Sequence, residues 1–346
     1  MGGAGANSGA ARFANMTEAL RTLRTAAIWI GLIAAAWLLW VVRVAVILTF
    51  GAVVVAMLLH LLARIVHNAT HLALGWSIAL VTTLFFLLFA GAAWLFGTRL
   101  STEFSDVIHN IRAGQHTLGP FHEILSGSSS FFRTFMPGAL SSGLSVAEYA
   151  VVVVIAGIYL AAQPELYARG IVALFPRRQR PAAEEALQTL GATLTYWLIG
   201  QLIVMLLVGA LAYLLMMAIG LPNPAALGLI AGLAEIVPYL GPFIGAVPAV
   251  LVALTLGFDT ALWTVAGYLG IHIFESYLVT PLLQRRLVHI PPALILVSIL
   301  ITQLLFGFVG IIFAAPIAVV AYTAVNLLYL RNVLDEPVDL PDDVPV

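Results

Sequence analysis

Long runs of apolar residues constrain this chain more than any other feature of its sequence. Nearly continuous apolar segments cover residues 26–42, 44–62, 72–97 and 192–219, and a helix needs about 20 apolar residues to cross the hydrocarbon core of a bilayer. Of the 346 residues, 62% are hydrophobic and 9% are charged, whereas about 25% of the residues in an average soluble domain are charged. This composition excludes a soluble enzyme, a disordered protein and a fibrous protein. It predicts an all-α polytopic membrane protein.

The positions of arginine predict how the chain crosses the membrane. With the N-terminus inside, the inner segments hold 11 of the 15 basic residues, all of which are Arg, in agreement with the excess of positive charge on the cytoplasmic side of membrane proteins. This orientation gives about eight transmembrane helices plus one re-entrant hairpin. A tight junction between the first two spans is expected near Arg43, although neither Gly nor Pro is present there.

The same pattern divides the chain into five segments. They are an inner N-terminal segment at 1–25, three transmembrane helices at 26–97, an outer amphipathic segment at 98–146, a membrane core at 147–330 and a disordered acidic tail at 331–346. Within the core, 164–191 forms an inner loop and 224–256 forms the re-entrant hairpin. Arg177, Arg178 and Arg180 in the inner loop are interpreted as an anchor that contacts anionic membrane lipid.

The hairpin sequence is incompatible with one regular helix. Pro238, Pro242 and Pro248 each remove a backbone donor, and Gly241 and Gly245 loosen the backbone between them. Irregular backbone at membrane depth persists only where it is buried in protein or lines a water-filled cavity. In transporters, such broken helices supply binding sites. The alternative interpretation is a kinked membrane helix without a site.

A set of motifs in the second half of the chain matches a known family. The motifs are Gly-Leu-Pro at 220–222, Gly228, Gly232, Pro-Tyr-Leu-Gly-Pro-Phe-Ile-Gly at 238–245, Pro176, Arg177, Tyr196, Gly200, Gln201, Glu275, Pro281, Arg285, Arg286, Gly310 and Pro316. Between about 164 and 330 the chain closely resembles the autoinducer-2 exporter family, a set of bacterial inner-membrane permeases. Many relatives have Asn where this chain has Glu235, and a carboxylate can carry a proton or pair with a cation, whereas an amide cannot.

The resemblance implies a secondary transporter of a small polar solute such as autoinducer-2, driven outward by a proton or sodium gradient. It also implies a bacterial inner-membrane location and a homo-oligomer, with a pentamer as one candidate. In that membrane, the arginine pattern predicts cytoplasmic termini and a periplasmic 98–146 segment. Two alternatives stay open. One is sodium–proton exchange without an organic solute, and the other is a non-transporting scaffold for envelope assembly that works through residues 98–146.

Glu235 and Glu275 are the acidic residues placed most firmly at membrane depth, where a charged residue costs about 2.5–3.5 kcal/mol and usually faces a cavity or a partner. His272 lies three residues before Glu275 on the same helical face, which suits either a proton relay or a packing hydrogen bond. Tyr239 and Gln303 are candidates for hydrogen bonds to the solute. The predicted solute and ion pathway comprises Glu235, Pro238, Tyr239, Gly241, Pro242, Gly245, Pro248, His272, Glu275 and Gln303.

Other chemistry finds little support in the sequence. The chain has no Cys and a net charge of −1, which disfavours thiolate chemistry and nucleic-acid partners. No P-loop or hydrolase motif is present, so we predict neither an enzyme nor a cofactor. His60, His67 and His71 share a helical face, where interfacial packing is favoured over a metal site, and we predict no metal.

Overall fold

The structure is a computed structural model that describes residues 4–95, 148–279, 281–282 and 290–331. Every regular element in these ranges is helical, and none of these ranges contains a strand. The all-α prediction is confirmed for this part of the chain. The predicted outer segment at 98–146 and the tail beyond Arg331 lie outside the described residues.

Ten α-helices can be assigned in the described ranges. In chain order they are α1 (Ala4–Thr70), α2 (Leu74–Leu95), α3 (Glu148–Ala162), α4 (Pro164–Ala173), α5 (Arg180–Ile219), α6 (Pro224–Ala234), α7 (Gly241–Leu256), α8 (Phe258–Phe274), α9 (Pro292–Phe306) and α10 (Phe308–Val325). A turn of 3-10 helix at Arg177–Gln179 precedes α5. Turns of π-helix at Glu275–Val279 and Asn326–Arg331 follow α8 and α10.

The described residues contain fewer candidate membrane spans than the sequence predicted. Three stretches are long and apolar enough to cross a bilayer, namely Trp40–Thr70, Arg177–Ile219 and Phe308–Tyr329, and the bent pair formed by α3 and α4 raises the number to four. The predicted total of about eight crossings is not confirmed. Several apolar helices are shorter than the roughly 20 residues that a crossing needs; for example, α6 has 11 residues and α9 has 15.

The junction predicted at Arg43 is wrong. Helix α1 runs without interruption from Ala4 to Thr70, so residues 26–95 fall on two helices where the sequence predicted three. Neither Gly nor Pro occurs between residues 32 and 50, and nothing else in that stretch breaks the backbone hydrogen bonding. The guanidinium of Arg43 lies 3.7 Å from the centre of the Trp40 ring, and this cation–π contact accommodates the charge on the helix surface.

The contacts divide the chain into two compact units, Met1–Ile47 and Leu48–Val346. The first unit is the N-terminal part of α1, whose described side chains are mostly exposed, including Trp29 and Trp37. The second unit contains the remaining helices and the hydrophobic clusters described below. Everything that positions the candidate site belongs to this second unit.

Helix α5 is the central element of the second unit and packs against α6, α8 and α10. Its buried side chains recur at helical spacing along one side, from Leu194 and Leu198 to Ala212 and Met216. The largest hydrophobic cluster joins the C-terminal half of α5 to α6, α7 and α8. A separate cluster at the other end joins α5 to α1 through Leu194, Leu198 and Val54.

Helices α5 and α6 approach each other backbone to backbone. A Cβ atom added at Gly232 would lie 2.6 Å from the Met205 carbonyl oxygen, and one added at Gly228 would lie 2.8 Å from the Gly209 carbonyl oxygen. Such distances leave no room for a side chain. Small residues allow this kind of close contact between helices in a membrane, where van der Waals packing drives helix association.

Replacing Gly232 with Ala is expected to destabilise the protein, because the methyl group must push α6 away from the α5 backbone. Overpacking of this kind costs about 1–3 kcal/mol. Gly270→Ala is the matched control, since a Cβ at this helical position meets no atom within 4 Å, and an alanine gains helix propensity there. Thermal unfolding of the purified protein in detergent should show a lower midpoint for Gly232→Ala only. Equal midpoints for the two variants would contradict the close contact.

Candidate functional site

Residues 224–256 fold into a helical hairpin in which α6 and α7 pack against each other. A Cβ atom added at Gly245 of α7 would lie 2.9 Å from the Cα atom of Ala231 on α6. A Cβ atom added at Gly241 would lie 2.7 Å from the carbonyl oxygen of Ala234. These pairings show that the two helices are antiparallel. With 11 residues, α6 is about 17 Å long, which is too short to cross a core of about 30 Å. Entry and return on one side of the membrane stays a prediction.

The three prolines of the hairpin occupy different structural positions. Pro242 lies in the first turn of α7, where its missing N–H would have no helical partner. Pro248 is buried inside α7, so that helix continues through a proline. Pro238 lies in the turn at 235–240, where Tyr239 adopts a left-handed backbone conformation with φ of 66°. This conformation is unusual for a residue other than glycine, and it helps to reverse the chain direction.

Glu235 begins this turn and is almost completely buried, with 2% of its surface exposed. The side chain of Gln201 on α5 donates a hydrogen bond from Nε2 to the backbone carbonyl of Glu235. The carboxylate is less well satisfied, because its Oε1 atom has no hydrogen-bond partner among the described residues. A buried carboxylate in this state needs a proton, a cation or a donor from a ligand, since an unpaired buried charge is strongly unfavourable.

Glu275 lies at the start of the π-helical turn that follows α8, within electrostatic range of Glu235. Its Oε2 atom is 3.2 Å from Nδ1 of His272, and 14% of its side chain is exposed. The two carboxylates are near enough for their charges to repel each other. Glu235, His272 and Glu275 are called the acidic cluster below. Turns of π-helix within α-helices are frequent at functional sites.

The acidic cluster includes three residues that the sequence predicted, and Tyr239 lies beside it. Tyr239 is 37% exposed and lies within electrostatic range of Glu275. Gln303 is different, because it is an exposed residue near the end of α9, a helix that packs mainly on α10. The structure thus gathers the hairpin and α8 residues at one place, and the described contacts do not join Gln303 to them.

Sequence reasoning missed two side chains that hold the hairpin from opposite sides. Tyr268 on α8 is 7% exposed and donates a hydrogen bond from its hydroxyl group to the Gly245 carbonyl at 3.1 Å. From the other side, Gln201 on α5 donates a hydrogen bond to the backbone carbonyl of Glu235. Gln201 belongs to a motif that resembles the exporter family, so a signal for it existed. Tyr268 lies in an apolar run without any motif.

His60 and His67 lie on α1, whereas His71 follows the last residue of that helix with φ of 56°, so the prediction that all three share one helical face is wrong. Arg64 Nε donates to Nε2 of His60 at 3.2 Å, and Nδ1 of His67 lies 2.5 Å from the Leu72 carbonyl oxygen. Each ring therefore has its own partner. Within the part of the chain that the structure describes, no group of three His, Asp or Glu side chains could hold a metal ion.

With the hairpin and its acidic cluster in place, comparison with known proteins identifies the family. The family model described as AI-2E family transporter matches residues 27–329. The chain belongs to the AI-2E transporter family. This result confirms the resemblance found in the sequence and extends it into the first half of the chain.

Three curated proteins illustrate the similarity. The chain is 30% identical over 214 residues to "Putative transport protein YrrI" of Bacillus subtilis (strain 168), covering 61% of each protein. It is 26% identical over 233 residues to a "Putative transport protein" of Thermotoga maritima, covering 65% of this chain and 69% of that protein. It is 29% identical over 177 residues to "Putative permease PerM" of Escherichia coli (strain K12), covering 51% and 50%. The chain thus spans about three fifths of YrrI and half of PerM.

Removing the Tyr268 hydroxyl tests whether it fastens the hairpin to α8. Tyr268→Phe keeps the ring in its cluster and deletes one buried hydrogen bond, which is worth about 0.5–1.5 kcal/mol. We expect lower stability and faster backbone hydrogen exchange in α7. Tyr159→Phe is the control, since Tyr159 is 67% exposed. If both variants exchange at the wild-type rate, the hydroxyl does not restrain the hairpin.

Proposed function

We propose that this AI-2E family protein is a secondary transporter that moves a small polar solute outward across the bacterial inner membrane, driven by an ion gradient. Autoinducer-2 is the first candidate solute because of the family to which the chain belongs. The observation that carries the proposal is the buried Glu235 carboxylate, whose Oε1 has no partner among the described residues. It lies in the turn of a broken helix pair, as binding groups do in other transporters.

In this proposal, Glu235 takes up the coupling ion. An unneutralised carboxylate is costly in this buried position, and binding of a proton or a sodium ion removes that cost. The negative charge of Glu275 repels that of Glu235 and so makes binding of a cation or a proton at Glu235 more favourable. The more exposed His272, at 37%, passes protons between Glu275 and the aqueous side.

The turn at 235–240 provides the solute contacts in the same proposal. Its backbone is not part of a continuous helix, so some of its carbonyl and N–H groups are available to a polar molecule. Tyr239 adds a partly exposed hydroxyl next to the acidic cluster. Movement of the hairpin relative to α5 would then open the turn to each side of the membrane in alternation.

Sodium–proton exchange without a solute is the second candidate. In this alternative, a sodium ion and a proton compete for the buried Glu235 carboxylate, near which Glu275 adds a second negative charge. This alternative uses the same residues and differs only in whether an organic solute moves. It is therefore decided by measuring ion and solute movement together.

Substitution of the two glutamates tests the coupling role. Purified protein is reconstituted in liposomes loaded with autoinducer-2, a pH gradient or a sodium gradient is imposed separately, and solute and internal pH are followed together. Glu235→Gln and Glu275→Gln should each reduce gradient-driven flux to the level of empty liposomes, because an amide cannot carry a proton or neutralise a cation.

Glu165→Gln is the matched control for these variants. Glu165 is an exposed glutamate that pairs with Arg169 at 3.0 Å on α4, and its loss should leave flux unchanged. Wild-type flux in both cluster variants would contradict the proposed coupling. Sodium-driven proton movement without solute flux would favour the exchanger.

A further inference from the structure

Helix α4 leaves α3 at nearly a right angle. The two helices are bent by 89° at the break formed by Gln163, and Pro164 is the first residue of α4. A residue before proline is restricted from the helical region, and Gln163 has φ of −138° and ψ of 59°. Because the two axes are nearly perpendicular, α4 does not continue the direction of the apolar helix α3.

The two sides of α4 differ in character. Glu165, Arg169 and Val172 face a crevice of about 600 Å³ that α5 closes with residues such as Glu184. The opposite side carries Tyr167, Ile171 and Leu174, which are spaced by four and three residues and therefore share one face. These three side chains are exposed, Leu174 by 85%, and no residue of α4 is buried.

Positive charge follows directly after this apolar face. Arg180 ties the connecting turn together, because its Nε donates to the Phe175 carbonyl at 3.2 Å and its Nη2 donates to the Ala173 carbonyl at 3.4 Å. Arg177 and Arg178 lie in the same turn and are exposed. Among the described residues, neither of these two guanidinium groups has a hydrogen-bond or ion-pair partner.

We propose that the outer face of α4, together with Arg177 and Arg178, is a binding surface for anionic phospholipid of the inner leaflet. Tyr167, Ile171 and Leu174 would lie at the boundary of the acyl chains, as in other helices that lie in the interface. The two guanidinium groups would bind lipid phosphates. This proposal is independent of the solute and of the coupling ion.

Lipid is the occupant that the surroundings favour. In this proposal, the apolar helix α3 ends at the level of the headgroups, so the apolar face of α4 that follows it lies there as well. The excess of arginine in residues 164–191 predicts that this loop lies on the cytoplasmic side, where anionic lipids attract basic residues near the membrane surface. A negatively charged headgroup complements both arginines, whereas a second copy of the same surface would repel them.

The absence of cysteine from the chain allows a direct test with single labels. Full-length Leu174→Cys protein carries an environment-sensitive fluorophore and is reconstituted with brominated phosphatidylglycerol or brominated phosphatidylcholine at equal mole fractions. Both lipids should quench the label, and the anionic lipid should do so at lower mole fractions, with about a fivefold preference per arginine. Arg177→Gln with Arg178→Gln should remove that preference while the protein elutes as the wild type does.

Two controls separate this surface from general lipid contact. Ala168→Cys places the label on the side facing α5 and should be quenched much less. Arg169→Gln removes an arginine of the same helix that is already paired with Glu165 and should retain the lipid preference.

Three results would overturn the proposal. Absence of quenching at position 174 would show that the face does not contact lipid. Equal quenching by the two lipids would remove the role of the arginines. Disulfide formation between unlabelled Leu174→Cys copies, together with protection of the labelled protein from quenching, would show that a second copy covers the face.

Discussion

The close contact between the backbones of α5 and α6 determines the geometry of the whole candidate site. Gly228 and Gly232 have no side chains to separate the helices, so α6 lies directly on the segment of α5 around Met205 and Gly209. The turn after α6 then lies beside Gln201, which is one helical turn before Met205 on α5. The side chain of Gln201 donates a hydrogen bond to the Glu235 carbonyl in that turn. The same stretch of α5 packs Val204 and Val208 on Val279 in the π-helical turn. One helix surface therefore brings Glu235 and Glu275 together.

This arrangement stabilises the backbone of the site but leaves the Glu235 carboxylate without a full set of hydrogen-bond partners. Gln201 and Tyr268 satisfy carbonyl groups of the hairpin with buried side-chain donors, and neither donor reaches Glu235 Oε1. A protein selected for stability alone would favour an apolar residue at this position, because a buried charge that lacks a full set of partners costs more than it returns. This conflict between local stability and residue type is the reason why we propose a function for Glu235.

The parts of the fold that sequence could predict are those that depend on backbone chemistry near in sequence. Pro238 predicts a break because it lacks an N–H, and the spacing of His272 and Glu275 predicts a shared face. The continuity of α1 through Arg43 was missed, because a single arginine in an apolar run can mark either a junction or a charge held by a neighbouring Trp40. Tyr268 was missed because its hydrogen-bond partner, Gly245, is 23 residues away in the sequence. An apolar run contains no motif that predicts such a long-range hydrogen bond. The predicted span count is not confirmed, because some helices bounded by prolines and glycines, such as the 11-residue α6, are shorter than the apolar runs that contain them.

In the proposed mechanism the hairpin moves, and the glycine interface would allow that movement. Interlocked side chains hold helices in one register, whereas smooth glycine surfaces permit small sliding movements of the shear type. Sliding of α6 along α5 would break the hydrogen bond from Gln201 to the Glu235 carbonyl. This hydrogen bond therefore favours the observed register of α6 on α5 and would be lost when the hairpin moves. Binding of an ion at Glu235 acts on the residue whose backbone Gln201 holds. In the proposed mechanism, the coupling ion therefore changes the position of the hairpin by favouring one register of this contact over another, as any ligand must do to shift a conformational equilibrium.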